Sequence, residues 1–112
     1  MIVVTIIFYL QKFTKMKYTA FLFDMNGTMI NDMQYHEIAW HDMLNNEIGY
    51  SISMEETKSH MYGKNEELFE RLFGTKKFTA EEVAAWSLKK EQKYQEAYKP
   101  HLQLIAGLDT FL

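Results

Sequence analysis

The sequence predicts an α/β protein of which these residues supply mostly the helices: one core strand followed by about four helices. Three observations lead there. Phe21-Leu22-Phe23 is a short apolar run that ends in Asp24, and it reads as a buried strand presenting a carboxylate at its C-terminal tip. From Asp32 onward, apolar residues recur at spacings of three and four, the period of an amphipathic helix. A lone strand can neither satisfy its own backbone groups nor cover both of its faces. This strand is therefore expected to join a sheet whose other members lie outside these residues, and the chain reads as a piece of a larger protein.

Taken in order, residues 1–15 come first. Met1 to Leu10 is almost wholly apolar, but a bilayer span needs about 20 such residues. A signal peptide would carry positive charge before the apolar run and a small-residue cleavage site after it. Here Lys12, Lys15 and Lys17 come after, with no such site. Residues 1–15 are expected to be an apolar extension outside the fold, with an added strand or a membrane-associating segment as alternatives. Residues 16–30 hold the strand and the loop after it. Gly27 permits a tight turn that brings amide N–H groups near an anion.

Residues 31–100 are expected to form a helical domain. Asp32 can cap the first helix, with Met33, His36, Trp40, Met43 and Leu44 as its apolar stripe and Gly49 as its stop. Ser53-Met54-Glu55-Glu56 spells a capping box for a short second helix, broken by Gly63. Asn65 caps a third, with Glu66 and Glu67 suiting the dipole, Leu68, Phe69, Leu72 and Phe73 as the buried face, and Gly74 as the end. Thr79-Ala80-Glu81-Glu82 is a second capping box, opening a long helix that runs to about Tyr98 before Pro100 stops it. Residues 101–112 read as a linker returning toward the core and the start of another helix.

At 47% hydrophobic, the chain can bury a core. Its net charge of −3 is interspersed, and a single Arg (Arg71) accompanies eleven Lys without a basic stripe, which argues against a nucleic-acid partner. The absence of Cys removes disulfides and thiolate metal sites, which fits a reducing compartment, so a cytoplasmic location is expected and no membrane partner is.

Phe21-Leu22-Phe23-Asp24-Met25-Asn26-Gly27-Thr28 resembles the first motif of the haloacid dehalogenase superfamily, usually Asp-x-Asp-Gly-Thr, with Asn26 in place of the second Asp. Asn31 to Trp40 is similar to the hinge and first cap helix of the β-phosphoglucomutase-like group, including the Tyr35-His36 and Ala39-Trp40 pairs. Gly63-Lys64-Asn65-Glu66-Glu67 resembles its substrate-selecting cap loop. Thr79 to Tyr94 is similar to its last long cap helix, and Leu104-Ile105-Ala106-Gly107-Leu108 to the return into the core. The resemblance implies a Rossmann-like α/β core with an inserted helical cap. It also implies Mg²⁺-dependent phosphoryl transfer, through an aspartyl-phosphate, on a small phosphorylated sugar. The family's Ser or Thr, its Lys and its late acidic pair would follow Leu112, so the chain alone is expected to be inactive.

The same resemblance assigns roles. Asp24 is the nucleophile and, with the Asn26 backbone carbonyl, a Mg²⁺ ligand. The residue at Asn26 is normally the general acid–base, which an amide cannot be. Gly27 and Thr28 complete the loop. His36 steadies position 26, Trp40 faces the sugar, Lys64 and Asn65 contact the distal end of the substrate, and Lys90 reaches the active site. Each has a plainer alternative: His36 and Trp40 as the helix's buried stripe, Lys64 and Asn65 as a solvated loop, Lys90 as a surface residue like Lys89. Two other functions remain open, a relative that does not turn over and a dehalogenase. The latter uses the same nucleophile without Mg²⁺ and typically has an aromatic residue at position 26.

Overall fold

The computed structural model describes residues 20–112, so the predicted N-terminal extension at residues 1–15 lies outside the described residues. The described chain is mostly helical. It runs α1 (Met33–Asp42), a π-helical turn (Met43–Ile48), α2 (Met54–His60), α3 (Asn65–Phe73), α4 (Ala80–Tyr98), a 3-10 turn (Lys99–His101) and α5 (Leu108–Phe111). It divides into two compact units. One is Gln34–His101. The other joins the described residues before Gln34 to Leu102–Leu112.

The helical unit is built on aromatic packing. Trp40 from α1, Met43 and Leu44 from the π-helical turn, Ile52, and Leu68 and Phe69 from α3 form its buried core. Phe73, Phe78, Val83 and Trp86 pack against that core, the last two from α4. Phe69 is its centre. Its ring meets Trp40 edge-on at 5.7 Å and Phe78 edge-on at 5.9 Å, geometries that suit the aromatic quadrupole.

Local signals set the helix ends. Gly49 closes the π-helical turn in the left-handed region (φ 78°), where L side chains are disfavoured, and its N–H donates to the Leu44 carbonyl. The Asn45 side chain then fastens the outgoing chain. It donates to the His41 and Ile52 carbonyls at 2.8 and 3.1 Å and accepts from the Ile52 N–H at 3.1 Å, holding Ile52 in the core. Both capping boxes form. Ser53 accepts from the Glu56 N–H and Thr79 from the Glu82 N–H, while each Glu accepts back from the cap N–H. Each box stabilises its helix start by about 1 kcal/mol. The expected cap of α3 is corrected: Lys64, with extended backbone, is the N-cap, and Asn65 is the first helical residue. Asn65 uses its side-chain amide elsewhere, as a donor to Glu91. Arg71 secures the loop after α2. Its guanidinium donates to the His60 carbonyl at 2.6 Å and to that of Tyr62, over whose ring it stacks at 3.7 Å.

The second unit holds the segment read as a strand. Residues 20–25 carry no strand pairing among the described residues. A strand is defined by its partner, and nothing described pairs with Phe21–Asp24. The pairing that exists is limited to isolated bridges, Asn26 to Ile30 and Ile30 to Leu104, with the Ile105 N–H donating to the Met29 carbonyl at 2.9 Å. Phe21, Phe23 and Phe111 cluster with centroids 5.9–6.5 Å apart.

Two predictions follow from the helical unit. Phe69→Ala should lower its stability by about 3–5 kcal/mol, measured by urea unfolding, because the cavity opens at the centre of the core. The second concerns acid. Lys93 binds both Asp42 and Glu47, and Lys89 binds Glu47. Hydrogen bonds from Lys93 and Asn46 hold Asp42 below its ordinary carboxylate value, and Lys89 and Lys93 do the same for Glu47. A carboxylate depressed on folding contributes stability above its unfolded value of about 4 and loses it as pH falls through the folded one. Thermal unfolding should therefore shift downward below about pH 4, and by less in Lys93→Met. At the alkaline end, the Lys93 ammonium is raised by the same partners, so its contribution fades only above about pH 10.

Candidate functional site

The predicted site residues fall into two groups. Asp24, Asn26, Gly27 and Thr28 lie in the second unit, and His36, Trp40, Lys64, Asn65 and Lys90 in the helical one.

The first group forms a closed turn. The Met25 carbonyl accepts from the N–H groups of Thr28 (3.2 Å), Met29 (2.8 Å) and Ile30 (3.2 Å). Gly27, at φ 71°, donates its N–H to the Ile30 carbonyl at 2.8 Å. Positive φ at that position is why glycine is suited to it. The turn thus engages the N–H groups of Gly27, Thr28, Met29 and Ile30, which were expected to lie near an anion. Asp24 is exposed, and its Oδ1 accepts from the N–H of the next residue, Met25, at 3.1 Å. The Asn26 side-chain Nδ2 donates to the Oδ2 of Asp32, which is fully buried. No described backbone N–H donates to the Asn26 carbonyl.

The second group surrounds a buried ammonium. Lys90 is only 3% exposed. Its Nζ lies 2.9 Å from Glu91 Oε1 and 2.8 Å from His36 Nδ1, and 5.3 and 5.7 Å from the ring centroids of Trp40 and Tyr94. An ammonium has only hydrogens to give, so His36 Nδ1 accepts and the ring hydrogen sits on Nε2. His36 stacks nearly parallel on Tyr94 at 3.8 Å. Asn65 donates to the same Glu91 oxygen at 3.2 Å. Burial raises Glu91, and the hydrogen bonds from Lys90 and Asn65 outweigh it, so the carboxyl lies below its ordinary value. Such an assembly can hold one positive charge in a dry, aromatic setting with its hydrogen bonds satisfied.

His36, Trp40, Asn65 and Lys90 are thus brought together. Lys64 is not, being exposed at the N-cap of α3. Trp40 is 3% exposed and packs on Phe69, so its ring belongs to the core, which is the plainer of its two readings. Lys90 is the reverse case, since it is buried while Lys89 stays at the surface on Glu47. The signal for this is in the helix period. Val83, Trp86, Lys90, Tyr94 and Tyr98 follow at spacings of three and four, which puts Lys90 on the apolar stripe of α4. Glu91, Tyr94 and Asp32 went unassigned as site residues. Glu91 and Tyr94 are found only through their contacts with a lysine whose burial had to be known first.

Among the described residues, no group of three or more His, Cys, Asp or Glu side chains could hold a metal ion. Asp24 and the Asn26 carbonyl offer two oxygen donors, a set compatible with Mg²⁺, which keeps several of its waters and takes one or two carboxylates. No helix among the described residues is long and apolar enough to cross a membrane.

The Lys90 cluster predicts an asymmetry. Lys90→Met removes a buried charge and fills the same space, leaving the partly exposed Glu91 to water and Asn65. Glu91→Gln keeps the ammonium buried with its carboxylate gone. The second change should cost about 1 kcal/mol or more beyond the first in urea unfolding. No protein-family model matches this sequence, and no curated protein or solved structure does either.

Proposed function

We propose that this chain carries the nucleophile loop and helical cap of a haloacid dehalogenase-type phosphotransferase acting on small sugar phosphates in a cytoplasmic setting. The observation that supports it most is Asp24. Its carboxylate is exposed at the end of an apolar segment, directly before a turn in which the N–H groups of Gly27 to Ile30 are internally bonded. An Asp oxygen there attacks phosphorus, the P–O bond to the sugar breaks, and an aspartyl-phosphate forms, which water later hydrolyses. Bound Mg²⁺ would neutralise charge on the phosphoryl oxygens, with the Asp24 carboxylate and the Asn26 carbonyl as its ligands from this chain. The departing sugar oxygen takes its proton from water, because the Asn26 amide is not an acid. In this reading, His36 and Lys90 stiffen the cap through their mutual contact, and Lys64 meets the substrate's distal end.

One observation favours a second reading, binding or phosphoryl capture without turnover. The side chain at position 26 is an amide, and it is engaged with Asp32. Loss of a general acid–base group costs about 10²–10⁴-fold in rate.

Trifluoroberyllate, which mimics a phosphoryl group on aspartate, tests the shared step without requiring turnover. Fluorine NMR should show a bound species that needs both Mg²⁺ and Asp24. A bound signal that persists in Asp24→Ala, or none in the unaltered chain, would overturn the proposal. Release of phosphate from a generic phosphate ester then separates turnover from capture.

A further inference from the structure

Asp32 has no part in the reaction above, yet it is the fully buried carboxyl next to the one position where the loop departs from its expected chemistry. We infer that Asp32 is a positioning residue for position 26: it requires a hydrogen-bond donor there, and it fixes how the side chain at that position is turned.

The argument begins with burial. A carboxylate removed from water is costly unless its oxygens accept hydrogen bonds. Asp32 Oδ2 accepts from Asn26 Nδ2 across six residues of chain, closing the loop at its base. The Asn26 amide nitrogen faces Asp32 Oδ2, so the amide donates and the carboxyl oxygen accepts. With Nδ2 held on Asp32, Oδ1 is the remaining acceptor of this exposed side chain. Two consequences follow. An ionised carboxylate at position 26 would face Asp32 acceptor to acceptor, and the pair would have to take up a proton to restore a donor. Asn at 26 is therefore the partner that Asp32 selects, and the pair holds the same two functional groups in the reverse of the order that a proton-donating loop would need.

Such a pair should work in either order, and that is the test. The probe is the side-chain amide, read by nitrogen–proton NMR of the full chain. In the unaltered protein, an Asn26 side-chain hydrogen should exchange with solvent about tenfold or more slowly than that of an exposed asparagine, as a hydrogen bond to a charged group implies. Asp32→Ala should abolish that protection. In the exchanged chain, Asn26→Asp with Asp32→Asn, the protected amide should reappear at position 32, and the chain should unfold at higher urea than Asn26→Asp alone. Free exchange of Asn26 in the unaltered protein would overturn the inference. So would retained protection in Asp32→Ala, or an exchanged chain without a protected amide or less stable than Asn26→Asp. If Asp32→Ala does not fold, the exchanged chain decides alone, since it keeps both groups.

The inference rests on the proposed reaction only in placing position 26 beside the nucleophile, and these readouts need no turnover. The exchanged chain also places a carboxyl in the loop. If it hydrolyses a generic phosphate ester faster than both the unaltered chain and Asn26→Asp, the positioning role extends to catalysis. If the pairing readouts hold and trifluoroberyllate gives no Asp24-dependent bound species, the reaction is refuted while the pairing stands.

Discussion

A lysine ammonium inside a packed helical unit is the constraint around which the rest is arranged. Lys90 sits on the apolar stripe of α4, where a methionine would pack without further demands. Because the residue is a lysine, it needs a carboxylate, an acceptor and polarisable faces within a few ångströms. Glu91 supplies the first, His36 Nδ1 the second, and Trp40 and Tyr94 the third. Each provider is then fixed in its turn. His36 is committed to one tautomer and stacked on Tyr94, and Asn65 is drawn from capping α3 to support Glu91. One charge thus ties α1, the start of α3 and α4 to a common centre, beside a core whose energy comes from Phe69 and its aromatic neighbours.

The loop at Asp24 obeys a different economy. The Met25 carbonyl takes three N–H groups and the Ile30 carbonyl a fourth, so the turn closes on itself and needs no ligand to hold its shape. A backbone already satisfied cannot also be a generous anion cradle. Engagement of those amides leaves the Asp24 carboxylate and the Asn26 carbonyl as the loop's oxygens outside the turn. It also makes the orientation of the Asn26 side chain, set by Asp32, a more important variable than the glycine beside it.

The helical part was legible because its signals are local. Ser53 with Glu56, and Thr79 with Glu82, define helix starts within four residues of chain, and both boxes form. The stripe through Trp40, Met43 and Leu44 follows from a period that any helix must have. The strand is less legible for the opposite reason. Phe21-Leu22-Phe23 has the composition of a strand, but strand pairing is decided by a partner that no local pattern supplies.

What the sequence determined by itself was the order of the helices, the capping boxes at Ser53 and Thr79, and the presence of an Asp before a glycine turn, since each depends on residues within a turn or two of one another. Only the tertiary structure decided which polar groups share a site. Lys90 and Lys89 are adjacent in sequence, yet one is buried against His36 across 54 residues of chain and the other lies at the surface on Glu47. Asn26 and Asp32 are six apart and on no common helix face. The cost of leaving a buried charge unpaired selects such partners, and that cost exists only once the chain has folded and the water is gone.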